Sequence, residues 1–316
     1  VRLNDLVLFV VTFGSTALAV LVPDLGTVFQ PCILYFMMSL LFLSFLKIDF
    51  RGLVDRSASS LAGLVFLTAV KLIILPTVLY GVAFVLVPDY AIPVLLVSGI
   101  STGVVAPFIA TLLDADISLV LRMTILSSVL VPFSLPVLVK LLAGAEITIP
   151  LETMIRLLAL VIFIPMAAVL LMRRLFPGLL DRIAARQFPI SLFFFAIINL
   201  GVFSRYSSFF FQYPGQLLVA TGVAYALSVV YYAAGFAITP GKRLPERLAA
   251  GVSLAHVNNV LVIVFSAQFF GPLSPILAAM YMFPFFTMIV PIKLYANSRR
   301  SRPARNANHA NGRSNE

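Results

Sequence analysis

The sequence predicts an all-α membrane protein of ten transmembrane helices. Three observations carry this prediction. The chain is 61% hydrophobic and 11% charged, with a mean hydropathy of +1.07, whereas a soluble domain of this length carries about 25% charge. Its apolar residues fall into ten long runs punctuated by Pro, Gly and charge clusters. Its basic residues gather in alternate connecting segments, as membrane topology requires.

A hydrocarbon core of about 30 Å needs roughly 20 apolar residues per helix. Spans are therefore expected near 5–22, 27–46, 61–87, 91–113, 117–142, 153–172, 188–204, 216–239, 248–270 and 273–296. The first has only Arg2 before it and no small-residue cleavage site, so it reads as a retained helix and not a signal peptide. Pro23-Asp24 separates it from the second, and the basic stretch from Lys47 to Arg56 closes the second. The third carries Lys71 about ten residues from its end, or roughly 15 Å, too far to snorkel easily. A Lys at that depth costs roughly 2.5–3.5 kcal/mol, so it marks a partner or a function.

Pro88-Asp89 precedes the fourth span, which is interrupted by SGISTGVVAP from Ser98 to Pro107. Pro107 lacks an N–H and disfavours helix just before it. Asp114 to Asp116 leads into the fifth, a helix bearing Pro132 and Pro136. The sixth follows Gly144 to Pro150 and ends in the basic segment Arg173 to Arg186. The seventh opens the Phe-rich run SLFFFAIINLGVFSRYSSFFF, which suits lipid-facing and interfacial packing. Tyr213-Pro214-Gly215 and then Pro240 to Arg247 bound the eighth. The ninth contains the polar interruption SLAHVNN, Ser253 to Asn259, and Gly271-Pro272 precedes the tenth. Residues 297–316 have no apolar period and are expected to form a disordered basic tail.

With the N-terminus placed inside, the inner segments hold 17 Lys and Arg and the outer segments 3, namely Lys140, Arg156 and Arg205. Both termini are thus expected in the cytoplasm, in the inner membrane of a prokaryote. The net charge of +10 is a topology signal and not a nucleic-acid footprint, because it lies between the spans and in the tail. The single cysteine, Cys32, permits neither an intrachain disulfide nor a Cys-based metal site. The histidines are His256 and His309. No acid lies firmly within a span, and no HExxH, GxSxG, P-loop or GxGxxG arrangement occurs, so an enzyme is not expected.

Sliding the chain by 156 residues sets ADISLVL on GPLSPIL, Ser118 on Ser274 and Thr102-Gly103 on Asn258-Asn259. Each half ends in a helix with two prolines, Pro132 and Pro136 or Pro284 and Pro291. Two repeats are expected, 1–145 and 150–296, and an odd number of helices per half inverts the second. Inverted repeats with interrupted helices place a transporter's site at the midplane. A simple Pro kink with ordinary interhelical hydrogen bonds is the competing reading.

The stretch GISTGVVAPFIATLLDADISLVLRMTILSSVLVPFSLPVLVKLLAG, Gly99 to Gly144, resembles the fourth and fifth helices of the bile acid:sodium symporter family. The Pro132–Pro136 spacing and the Leu141-Leu142-Ala143-Gly144 ending carry the resemblance. It implies a panel of helices 1, 2, 6 and 7, and a core of helices 3–5 and 8–10 in which helices 4 and 9 break and cross. It also implies alternating access for an organic anion, with sodium coupling in the best-known members.

The sodium residues depart from that pattern. The family's Ser-Asn of helix 4 falls on Ala106-Pro107, and its two helix-5 hydroxyls fall on Val120 and Thr124. The helix-9 stretch GVSLAHVNN lacks the family's Glu. A family Gln on helix 3 falls at Val70-Lys71-Leu72. Lys71 thus stands where a ligand of the second sodium would be, and its ammonium can replace that cation. The candidate binding residues are Lys71, Thr102, Gly103, Thr124, His256, Asn258 and Asn259. No cofactor is expected, sodium is doubtful, and proton coupling is open. The expected partners are a small carboxylate-type organic anion and the lipid bilayer. A metalloid efflux carrier, which would use a helix-4 Cys absent here, and a membrane sensor or scaffold are the alternatives.

Overall fold

The computed structural model describes residues 3–46, 58–144 and 150–311. The expected basic residues Lys47, Arg51 and Arg56 lie outside them. The described residues form helices and no strand. We number the spans α1 (Leu3–Leu21), α2 (Pro23–Phe45), α3, α4, α5 (Ile117–Ala143), α6 (Leu151–Leu175), α7 (Gln187–Ser204), α8 (Pro214–Ala237), α9 and α10. Helix α3 has three parts, Ala58–Ala69, a π-helical turn Val70–Ile74, and Leu75–Leu86. Helix α4 is broken into α4a (Ala91–Gly99) and α4b (Ala106–Leu112), and α9 into α9a (Leu244–Ala255) and α9b (Asn259–Phe269). Helix α10 runs as Leu273–Met280, Met282–Thr287 and Ile289–Asn311.

Seven helices among the described residues are long and apolar enough to cross a membrane, and Val10–Leu21 and Asn259–Phe269 are shorter apolar helices. The broken α4 and α9 fall short in length because each is two half-spans. Large apolar side chains such as Val85, Leu141, Leu171, Leu218 and Leu294 are exposed along these helices. In a soluble protein they would form a sticky surface, but here they meet lipid.

The helices pack in two groups. In the first, α1 lies on α7, α7 on α2, and α2 on α6. In the second, α3 lies on α4a, α4a on α5 and α10, α8 on α9a and α10, and α9a on α5 and α4b. The groups meet where α5 lies along α6 and where α9b touches α7 and α2. Aromatic pairs mark the joint, Phe133–Phe163 at 6.3 Å and Phe13–Phe283 at 4.3 Å between ring centroids.

Two sequence expectations need correction. The break in α4 begins at Ile100 and ends before Ala106, so Pro107 lies inside the first turn of α4b and not in the gap. Pro suits that position because the missing N–H would have no helical partner anyway. The stretch from 297, expected to be structureless, continues α10 as helix to Asn311. A helix already nucleated in the membrane extends at one hydrogen bond per residue, and Ala304, Ala307 and Ala310 favour it. Arg300 anchors this extension on Asp114, with Nη1 to Oδ2 at 2.8 Å.

Candidate functional site

The two breaks face each other. Thr102 and Val257 form an isolated antiparallel bridge between α4 and α9. The Gly103 N–H donates to His256 O at 2.7 Å, and the Asn258 N–H donates to Ser101 O at 2.9 Å. Unwound backbone survives at membrane depth only when its polar groups are satisfied by protein or cavity water. Here each break satisfies the other. Gly103 is required by closeness, since a Cβ there would stand 2.6 Å from Val257 O.

Side chains lock the crossing. Thr102 Oγ1 donates to Ser253 O at 2.7 Å, and the Thr102 N–H donates to Ser127 Oγ at 3.0 Å. Ser127 Oγ in turn donates to Met123 O at 2.6 Å. Asn258 Oδ1 accepts from the Leu261 N–H at 3.3 Å and so caps α9b.

Lys71 lies beneath the crossing with no exposed surface. Its Nζ donates to Ser98 O at 3.1 Å and to Leu254 O at 3.3 Å. Those carbonyls belong to the last turns of α4a and α9a. A helix C-terminus carries about −0.5 of an elementary charge, so one ammonium balances two converging half-helices. The Tyr231 ring centroid is 5.4 Å from Nζ and adds a cation–π contact. Tyr281 Oη donates to Ala255 O at 2.6 Å, completing the end of α9a.

The local backbone explains how α3 delivers this lysine. The Leu75 N–H reaches back five residues to Val70 O, the π pattern, just before Pro76. A π turn inserts one residue and rotates the side chains around it, and such turns are frequent at functional positions.

The remaining expected residues are dispersed. Thr124 is buried, but its hydroxyl donates to Val120 O of its own helix at 2.9 Å. Ser127, one turn further on, is the α5 hydroxyl that reaches the crossing, and its i, i+3 spacing from Thr124 was the available signal. The His256 ring lies edge-on to Phe285 and Tyr232, with centroids at 4.7 and 6.1 Å. Neither of its ring nitrogens has a hydrogen-bond partner among the described residues. Asn259 Nδ2 donates to Met282 Sδ at 2.7 Å. Lys71 meets carbonyls and not the Asn258 or Asn259 amides.

A narrow crevice lies between α1 and α7 on one side and α9b and α10 on the other. Thr12, Phe13, Asn199, Phe203, Ile263 and Met282 line it. Asn199 Nδ2 is fixed by Thr12 O and Ser15 Oγ, at 3.4 and 3.1 Å, which leaves its buried Oδ1 without a partner among the described residues. Sequence reading missed Asn199 because a lone Asn in a Phe-rich helix has no pattern around it.

The model of the sodium bile acid symporter family matches residues 30–213. The chain belongs to that family, which is one of membrane transporters and not of enzymes. No curated protein matches the chain.

Proposed function

We propose that this transporter is a secondary active carrier of a small organic anion, working by alternating access without a requirement for sodium, and that Lys71 replaces a bound cation. The observation that carries the reading is the pair of bonds from Lys71 Nζ to Ser98 O and Leu254 O. Carbonyls at half-helix C-termini are what a carrier offers to a coupling cation. In this chain they are already met by the Lys71 side chain. No Asp or Glu is buried among the described residues, and no cluster of His, Cys, Asp or Glu there could hold a metal ion. At Ser98 O and Leu254 O a sodium ion would compete with Lys71, and no buried carboxylate among the described residues would neutralise it.

The two packed groups support a mechanical division into a core of α3–α5 and α8–α10 and a panel of α1, α2, α6 and α7. On this reading residues 1–145 and 150–296 are inverted repeats, both termini are cytoplasmic, and the membrane is a prokaryotic inner membrane. The core moves as one body because the crossing is bonded through Thr102, Gly103, Ser127 and Ser253. Substrate occupies the seam beside the crossing, where Thr12, Thr16 and Asn199 supply the polar lining. Proton movement through Lys71 can supply coupling, since intramembrane ionisable groups serve as relays.

The metalloid reading loses support because the one thiol, Cys32, is exposed and lies in the middle part of α2, outside both broken helices. A thermal-shift screen of organic anions on the purified protein, followed by counterflow in liposomes, tests the proposal. Bound ligand raises the melting temperature by mass action. A carrier then exchanges that ligand across the bilayer, whereas a sensor or scaffold binds it without flux.

A further inference from the structure

The C-terminal ends of all four half-helices are met by basic side chains. Lys71 serves α4a and α9a. Arg300 Nη2 donates to Leu113 O at 3.0 Å, just past α4b. Arg205 Nη1 donates to Ala267 O at 3.3 Å, in the last turn of α9b. Three of these caps are internal to the second packed group, because Lys71 is on α3 and Arg300 on α10. The fourth is not. Arg205 follows α7, so its bond joins one packed group to the other. Relative motion of the groups would leave the first three intact and would strain or break the fourth.

Beside that bond lies a narrow cleft between α2, α7 and α9b. Its polar lining is Arg205, Gln30 and Gln268, and its floor includes Val202 and Val264. No carboxylate among the described residues lines it. Arg205 is exposed, and the acceptor it meets on α9b is the neutral Ala267 carbonyl. A guanidinium flanked by two carboxamides, with no acid of its own, suits a carboxylate. A carboxylate can accept two parallel N–H bonds from the guanidinium, charge-assisted at both ends, whereas Ala267 O accepts one bond from Arg205 at 3.3 Å. An arriving carboxylate therefore competes well with Ala267 O. The other tie to that carbonyl, from Tyr206 Oη, is 3.5 Å long and weak. Burial raises the Tyr206 phenol above its usual range, so it remains a neutral donor.

We infer that Arg205 is the carboxylate receptor at the outer mouth of the seam between the two groups, and that a carboxylate bound there releases the Arg205–Ala267 contact that holds this mouth closed. The inference rests on the reading of the chain as an organic-anion carrier, and it adds the entry site and the trigger. It makes the substrate's own charge the signal that opens the outer side.

The test measures access and not transport, so a failure of the carrier reading is separable from a failure of this one. Cys32 is replaced by Ser, and Val264→Cys, buried in the cleft floor, serves as reporter. Liposome-reconstituted protein is exposed from outside to a membrane-impermeant maleimide, with millimolar benzoate or neutral benzamide. The expected result is that Arg205→Gln raises the labelling rate about tenfold without ligand, as loss of a charged hydrogen bond implies. Benzoate should raise the rate where Arg205 is retained and have no effect in the Arg205→Gln variant, and benzamide should do nothing in either. Tyr206→Phe should raise the rate by a smaller factor, which keeps the test open if Arg205→Gln fails to fold. Unchanged labelling in both variants would make Arg205 a fixed helix cap and overturn the inference. Faster labelling in Arg205→Gln, with no response to benzoate where Arg205 is retained, would overturn the carboxylate site.

Discussion

Replacing Lys71 by Met removes the ammonium while keeping a chain of similar length. Two carbonyls, Ser98 O and Leu254 O, then face each other without a donor in a fully buried site. At an effective dielectric of about 20, a half charge 3.1–3.3 Å from an ammonium contributes roughly 2.5 kcal/mol, and there are two. The desolvation cost of the buried ammonium offsets part of this, and one-sided loss of a buried charge contact costs about 3–5 kcal/mol. The melting temperature should fall by roughly 6–10 °C for a chain of this size. Lys71→Gln should behave differently, because its carboxamide leaves room and an oxygen for a cation. Sodium at about ten times its Kd would then stabilise that variant by about 1.4 kcal/mol. Melting curves of wild type, Lys71→Met and Lys71→Gln in sodium, potassium and choline chloride test this. A wild-type protein stabilised by sodium alone, or a Met variant that melts like wild type, would refute the argument.

Other substitutions follow from the crossing. Gly103→Ala drives a Cβ against Val257 O, and should cost about 1–3 kcal/mol as overpacking, read as a lower melting temperature with loss of flux. Ser127→Ala leaves the buried Thr102 N–H without its acceptor and should cost about 1–3 kcal/mol. Thr124→Val should cost less than Ser127→Ala, because the Thr124 hydroxyl donates to Val120 O of its own helix. Comparing those two melting curves checks that Ser127, and not Thr124, holds the crossing. Arg300→Gln removes the exposed pair with Asp114 and the cap on Leu113 O. It should change stability by at most about 1 kcal/mol while raising proteolytic sensitivity of the residues after 297.

The membrane fold was legible because apolar runs of the right length, and the Pro and Gly between them, follow from bilayer thickness and backbone chemistry. The 156-residue offset aligned Thr102-Gly103 with Asn258-Asn259, and those stretches meet in the Thr102–Val257 bridge. Lys71 was legible as an anomaly of charge at depth. Its partners were not, because backbone carbonyls have no sequence signature. The π turn that aims Lys71 was equally hidden, although Pro76 stands just after it. Ser127 was missed because a serine in a Pro-bearing membrane helix usually bonds to its own backbone. The caps from Arg205 and Arg300 were hidden because each comes from a span distant in sequence from the half-helix it serves.

The central claim is that a built-in ammonium takes the place of a coupling sodium. Its most direct test is initial uptake into proteoliposomes of an organic anion found by thermal shift, with external sodium replaced in turn by potassium and choline. Equal rates in the three salts, and loss of uptake in Lys71→Met, are expected. A steep, saturable dependence on sodium in the wild-type protein would contradict it.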